Sequence, residues 1–341
     1  MQLTDFDYSL PAALIAQEPA PRRDLARLLV VYKDRQVIEH QLFKDVVDYL
    51  NPGDLLVIND TKVIPARLAG KKLSGSADIE VLLLKPLDER RWEVLVRPAR
   101  RVRPGTVLSF GDGLFSGTVE KSTGFGGRVI EFSYSGRFAD LLQEVGKMPL
   151  PPYIKNYSGD PMRYQTIYAR QEGSVAAPTA GLHLSFELTE QIRAKGVEIK
   201  PILLHVGFGT FQPVKDQDIT RHHMHAEYYE INEQTAQAVN EAKKRGGRLI
   251  AVGTTTVRCL ESAALPGGKV VPAKGWTELF IYPGYRFKVT DGLITNFHLP
   301  RSTLLMMVCA FAGRDKILAA YRLAIEERYR FYSFGDAMLI I

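Results

Sequence analysis

Apolar positions fall along this chain in two textures. One stretch carries short alternating runs broken by glycine. The rest mixes unbroken apolar runs with helical spacing. Leu28-Leu-Val-Val-Tyr32 and Leu55-Leu-Val-Ile58 are runs of strand length and read as buried strands. Between them, Gln41 to Leu50 has helical spacing and stops at Asn51-Pro-Gly53. From about Pro65 to Gly146 the spacing tightens. Ile79–Leu84, Trp92–Val96, Val107–Phe110, Gly117–Glu120 and Val129–Phe132 read as short strands. Turns such as Pro104-Gly105, Gly111-Asp-Gly113 and Gly124-Phe-Gly-Gly127 part them, which predicts a small antiparallel barrel.

Beyond residue 150 strands and helices alternate. Helices are expected over Glu187–Ala194, Glu233–Arg245, Thr254–Ala264, Thr303–Ala312 and Lys316–Arg328. Strands are expected over Val197–Val206, Leu249–Val252, Leu279–Tyr282 and Ala337–Ile341. This order predicts an α/β main domain with a mixed, largely parallel sheet, in two pieces, 1–64 and 148–341. The antiparallel β-barrel domain, 65–147, is inserted between them.

Composition changes this picture little. The 341 residues are 45% hydrophobic and 24% charged, which suits globular domains with ample core. Two cysteines, Cys259 and Cys309, make no disulfide framework, so a reducing cytoplasm is expected. No signal peptide is visible, and the longest apolar stretch, Leu304 to Ala312, is too short for a membrane span. The net charge of +6 is modest but clustered. Arg97, Arg100, Arg101 and Arg103 form one group, and Lys243, Lys244, Arg245 and Arg248 another; such patches suit phosphate contacts.

The candidate chemistry lies mostly in the second half. Ala176-Ala-Pro-Thr-Ala-Gly-Leu-His183 is a run of small residues closed by an imidazole. Ala180 and Gly181 allow close approach of a backbone, and Thr179 offers a hydroxyl. Six of the seven histidines fall in runs of this kind, among them His205, the His222-His-Met-His225 group and His298. Gly207 and Gly209, with Thr210, suggest tight backbone approach to a ligand; a third glycine for a dinucleotide loop is missing. His222, His223 and His225 match no zinc spacing, so no metal is expected; His225 and Glu227 read as pocket residues. Gly253 with Thr254, Thr255 and Thr256 stands between a strand and a helix and makes an anion site, with Arg258 one turn further in. Asp60, Thr61, Lys62 and Arg67 follow a buried strand, where open α/β sheets bind ligands. Asn296 neighbours His298 in Thr295-Asn-Phe-His-Leu-Pro300.

Taken in order, Arg23-Asp-Leu-Ala-Arg-Leu-Leu29, Asn59–Leu68, Ala176–His183, Leu204–Phe211, His225–Tyr229, Gly253–Ser262, Phe280–Gly284, Thr295–Ser302 and Tyr329–Asp336 resemble the S-adenosylmethionine:tRNA ribosyltransferase-isomerase family. Departures are small: Leu184 where the family usually has phenylalanine, Lys62 for arginine, Cys259 for threonine. The resemblance implies transfer and isomerisation of the ribosyl part of S-adenosylmethionine. The acceptor is 7-aminomethyl-7-deazaguanine at the wobble position of tRNAs for Asp, Asn, His and Tyr. The product is epoxyqueuosine-tRNA, with adenine and methionine released. It implies no cofactor beyond the co-substrate, a tRNA anticodon arm as partner and a monomer.

Under that resemblance His183, His205, His225, Glu227 and His298 are the acid–base candidates. Thr254–Thr256 with Arg258 would anchor the donor carboxylate. Aromatic residues such as Phe208, Phe211 or Tyr228 would hold the extruded base. Arg97, Arg100, Arg101, Arg103, Lys243 and Lys244 would meet phosphates of the anticodon arm. The alternative is an S-adenosylmethionine-dependent RNA methyltransferase. That reading needs a glycine-rich loop after the first strand and an acidic residue after the second, and neither is evident.

Overall fold

The computed structural model describes residues 1–75, 77–124, 126–155, 157–207, 214 and 216–341. The chain opens with strands β1 (Arg27–Val31), β2 (Ile38–Leu42), β3 (Leu55–Asn59) and β4 (Thr61–Val63). Then come β5 (Arg67–Lys72), β6 (Asp78–Pro86), β7 (Arg91–Arg97), β8 (Val107–Phe110), β9 (Phe115–Ser122) and β10 (Arg128–Ser133). Helix α1 (Phe138–Val145) and the short β11 (Gly146–Lys147) and β12 (Gln171–Ser174) follow. The remainder runs α2 (Phe186–Ala194), β13 (Glu198–Leu204), β14 (Glu227–Ile231), α3 (Glu233–Lys244), β15 (Leu249–Val252) and α4 (Thr254–Ala263). It closes with β16 (Ala273–Thr277), β17 (Gly292–Asn296), α5 (Thr303–Ala312), α6 (Arg314–Glu326) and β18 (Ala337–Ile340).

Contacts divide the chain into two compact units. The first holds Met1–Lys62, Pro151–Gln171 and Ala177–Ile341; the second holds Val63–Leu150 and Glu172–Ala176. The first unit is built on a nine-stranded sheet in the order β16-β14-β13-β3-β15-β17-β18-β1-β2. Its centre, β13-β3-β15-β17, is parallel. The pairs β14–β16, β13–β14, β17–β18 and β1–β2 are antiparallel, so the sheet is mixed and only its middle is continuously parallel. One face is packed by Phe43, Val46 and Leu50, and by Leu188 and Ile192 of α2. They meet Leu28, Leu56, Ile58, Ile250, Ile294 and Leu339 of the strands. Helices α3 and α4 pack on β13, β3 and β15. Coverage of both faces is why β3, β15 and β17 are apolar almost throughout.

The second unit closes on itself. Its strands run β5-β6-β7-β10-β9-β8, and β8 pairs back to β5, so six antiparallel strands make a barrel with no open edge. Alternation is clean in β7, whose Trp92, Val94 and Val96 point inward. The interior is tight enough that a Cβ at Gly117 would lie 2.7 Å from Ile130.

Three expectations need correction. Leu279–Tyr282 is not a strand; the ladder is made by Ala273–Thr277, which pairs with β14. Gln41–Leu50 is split between the end of β2 and a 3₁₀ helix, Phe43–Tyr49. The β17 strand, Gly292–Asn296, stands where no strand was expected.

Candidate functional site

The carboxyl ends of the central strands of the first unit open into a cavity, as expected of an α/β sheet. It holds about 660 Å³ of empty space, part of it open to solvent. Its walls come from four segments: Ala177–Ala180, Gly253–Thr255, Thr295–Leu299 and Tyr332–Ser333. Tyr153, Val206, Ser302 and Leu304 complete it.

Gly253 explains one wall. It caps α4 with φ +94°, a region that costs a side chain strain, and its amide donates to Ile294 O at 2.8 Å. The turn exposes the first amides of α4 beside the Thr254 and Thr255 side chains, an anion-favouring end of the helix dipole. Thr256 does not join them. It is fully buried and its hydroxyl donates to Val252 O at 2.7 Å. Arg258 is also excluded from the cavity. It forms a buried ion pair with Glu227, each about 3% exposed, and donates to Leu279 O and Thr277 O. Glu227 in turn accepts the Gly207 amide at 2.8 Å. The pair is an internal brace, so Arg258 is not a free donor for a carboxylate and Glu227 is not a free acid or base.

The opposite wall is a polar relay. Thr179 Oγ1 donates to Asn296 Oδ1 at 2.7 Å, and Asn296 Nδ2 donates to Tyr332 O and to His183 Nε2 at 3.3 Å. His183 therefore offers Nε2 as an acceptor and is held as the neutral ring. Burial drives its pKa down to about 4. It packs on Phe43 and faces a small cleft with Arg23 and Arg163, not the cavity. Gly181 also turns away, since a Cβ there would run into the Tyr168 hydroxyl. Ala180 remains in the wall.

His298 lines the cavity, its Nε2 2.7 Å from Thr295 Oγ1, and burial pushes its pKa down to about 3. Its backbone is pinned by the Tyr321 and Tyr8 hydroxyls. His205 stands just before cavity residue Val206. Its Nδ1 is 2.8 Å from Thr61 Oγ1 and burial lowers its pKa. Fully buried Asn59 orders this corner by accepting from the Leu204 and Thr61 amides and donating to Leu204 O and Thr255 Oγ1. Asp60 is buried beside it, its carboxyl pushed up by burial, and its carbonyl accepts the Arg170 and Gln171 amides. Lys62 follows at the same strand end, half-buried.

Other expected residues are placed elsewhere. Arg67 belongs to the second unit, where it pairs with Glu80 and with Leu150 O. His225 is exposed. Lys243 is bound to both carboxylate oxygens of Asp291, at 2.7 and 2.8 Å, so it is not available to phosphate; Lys244 is exposed. Arg97, Arg100, Arg101 and Arg103 are exposed on the second unit. Gly209 and Thr210, like Phe208 and Phe211, lie outside the described residues. Among the described residues, no group of three or more His, Cys, Asp or Glu could hold a metal, and no helix is long and apolar enough to cross a membrane.

Tyr153, Ser302, Tyr332 and Ser333 entered the site without being singled out. Tyr332 adopts φ +71°, and Tyr153 hydrogen-bonds Ser333 at 2.7 Å. Ser302 caps α5. A cap or an aromatic residue gives no sign in sequence that it faces a cavity.

A cavity at the carboxyl end of a mixed sheet, lined by small residues, threonines and Asn296, in a chain that also carries an antiparallel barrel unit, defines an α/β enzyme of the ligand-transforming kind. The family described as queuosine biosynthesis protein matches residues 3–340, and the chain belongs to that enzyme family. Curated relatives named S-adenosylmethionine:tRNA ribosyltransferase-isomerase share 64% identity in Pelotomaculum thermopropionicum and 58% in Desulforamulus reducens. Both alignments cover all of this chain and all of the relative. A crystal structure of S-adenosylmethionine tRNA ribosyltransferase from Thermotoga maritima is 40% identical, with a TM-score of 0.56 over 99% of this chain and 100% of that one. None of these names favours the methyltransferase alternative.

Proposed function

We propose that this chain transfers and isomerises the ribosyl part of S-adenosylmethionine onto 7-aminomethyl-7-deazaguanine at the wobble position of a tRNA. The product is epoxyqueuosine-tRNA, and adenine and methionine leave. The observation that carries the reading is end-to-end identity of 64% with a relative of that name. The tRNAs for Asp, Asn, His and Tyr are the proposed acceptors. Under this reading the enzyme works in the cytoplasm, as a monomer, without a metal or redox cofactor.

The cavity suits the chemistry. The first amides of α4, with Thr254 and Thr255, are matched to the methionine carboxylate. Ala177 and Ala180 leave room for the nucleoside against the backbone. The sulfonium acidifies the 5′ carbon, and a neutral imidazole is suited to take that proton. His205 is the best base: burial lowers its pKa and favours the neutral ring, and Thr61 Oγ1, 2.8 Å from Nδ1, orients the imidazole. His298 lies in the cavity wall and orients the nucleoside. His183 acts through Asn296 as a positioning residue.

The test is product analysis with tRNA carrying 7-aminomethyl-7-deazaguanine. Free adenine and methionine in equal amounts are expected. Formation of S-adenosylhomocysteine, or no consumption of the donor, overturns the reading. His205→Ala should lose turnover by roughly 100-fold or more while retaining donor binding.

A further inference from the structure

The sheet edge that leads away from the cavity carries three aromatic rings in a row. His205 leaves the end of β13, Tyr228 lies on β14 and Trp276 on the outermost strand, β16. The backbone sets them side by side. The His205 amide donates to Tyr228 O, and Tyr228 is the direct cross-strand partner of Trp276. The rings are in register as well. His205 stacks on Tyr228 with centroids 6.0 Å apart and planes 25° from parallel. Tyr228 meets Trp276 edge to face at 5.7 Å.

Exposure rises along the row. His205 and Tyr228 are half-buried, and Trp276 is 53% exposed. The chain's other tryptophan, Trp92, is inside the barrel. An indole held open to solvent on an edge strand adds little to the core. Aromatic rings displayed on neighbouring strands of one sheet face are the means by which proteins stack unpaired nucleotides. Here the row begins at His205, the chain neighbour of the cavity residue Val206, and so starts next to the site.

We propose that Trp276, with Tyr228, is a stacking platform for an unpaired nucleotide of the RNA substrate, next to the nucleotide that enters the cavity. This rests on the function proposed above, since it takes an RNA loop as the occupant. The platform is blind to base identity, because every base offers a π face. It would hold the loop open while the target base is out of its stack.

The test compares wild type, Trp276→Ala and Trp276→Phe, each first shown to bind S-adenosylmethionine normally. Binding is measured to an unmodified tRNA transcript and to a duplex of the same length without a loop. Trp276→Ala should weaken tRNA binding roughly 5- to 100-fold and raise KM for tRNA with little change in KM for the donor, as loss of one stacked base does. Phenylalanine should restore most of it. Duplex binding should not change. If Trp276→Ala binds tRNA within twofold of wild type, or weakens duplex and tRNA equally, the platform is refuted while the proposed reaction stands. If wild type neither binds tRNA nor releases adenine, the reaction and the platform fall together.

Discussion

At the scale of single residues, burial decides what the histidines do. His183 and His298 are held to about 4 and about 3 because the charged ring is not tolerated where they lie. In the unfolded chain each takes up a proton near its ordinary value of about 6.5. Between that value and the folded one, the unfolded state binds more protons, so stability falls as pH falls. The contribution is fully present above about pH 6.5, and each ring removes about 1.4 kcal/mol per pH unit below it. Tm measured from pH 7.5 to 4.5 should therefore decline steeply, and His298→Asn should flatten the decline. Equal slopes would show that His298 is charged in the folded protein.

Arg258 shows how far one residue can be read from sequence. Its position one turn into α4 was correct, and the expectation of a free guanidinium was not. What binds it is Glu227, 31 positions away, brought close by the packing of α4 on β14. No local pattern announces a partner at that distance. Lys243 and Asp291 repeat the lesson across 48 positions.

At the scale of elements, α4 was legible because its grammar is local: a buried strand, a glycine, three threonines, then helical spacing. The structure adds why glycine is needed. With φ +94° at Gly253 there is room for a Cβ, whose nearest neighbour would be Thr255 Oγ1 at 3.6 Å. The cost of a side chain there is backbone strain, not collision. Gly253→Ala should lower stability by about 1–2 kcal/mol. It should also raise KM for S-adenosylmethionine several-fold, since the wall amides shift with the turn. Denaturant titration and donor-saturation kinetics check the two halves, and an unchanged KM would remove α4 from the donor site. Elements held only by long-range pairing were harder to read. Leu279–Tyr282 has a strand's composition but no ladder, whereas Ala273–Thr277, with Lys274 and Gly275 in it, has the ladder through Tyr228. Gly292–Asn296 is a strand because β15 and β18 flank it.

At the scale of the whole molecule, positive charge is divided by function. The basic group at Lys243 and Arg248 faces the amino-terminal edge of the sheet, away from the cavity. It is spent on Asp291 and Asp54, which precede β17 and β3. On the second unit, Arg100, Arg101 and Arg103 are exposed around one cleft with Lys72. Lys243 and Arg248 of the first cluster are clamped, whereas Arg100, Arg101 and Arg103 of the second are all exposed, so the second is the better placed to exchange counterions for phosphates. Replacing Arg100, Arg101 and Arg103 together by alanine should weaken tRNA binding and lower the slope of log affinity against log salt by about two, near 0.7 per lost phosphate contact on single strands. Lys243→Ala should leave that slope unchanged while lowering stability, because Asp291 loses its cation. Filter binding between low and moderate salt separates the outcomes. A slope that falls with Lys243→Ala and not with the triple variant would move the RNA from the second unit to the far edge of the sheet.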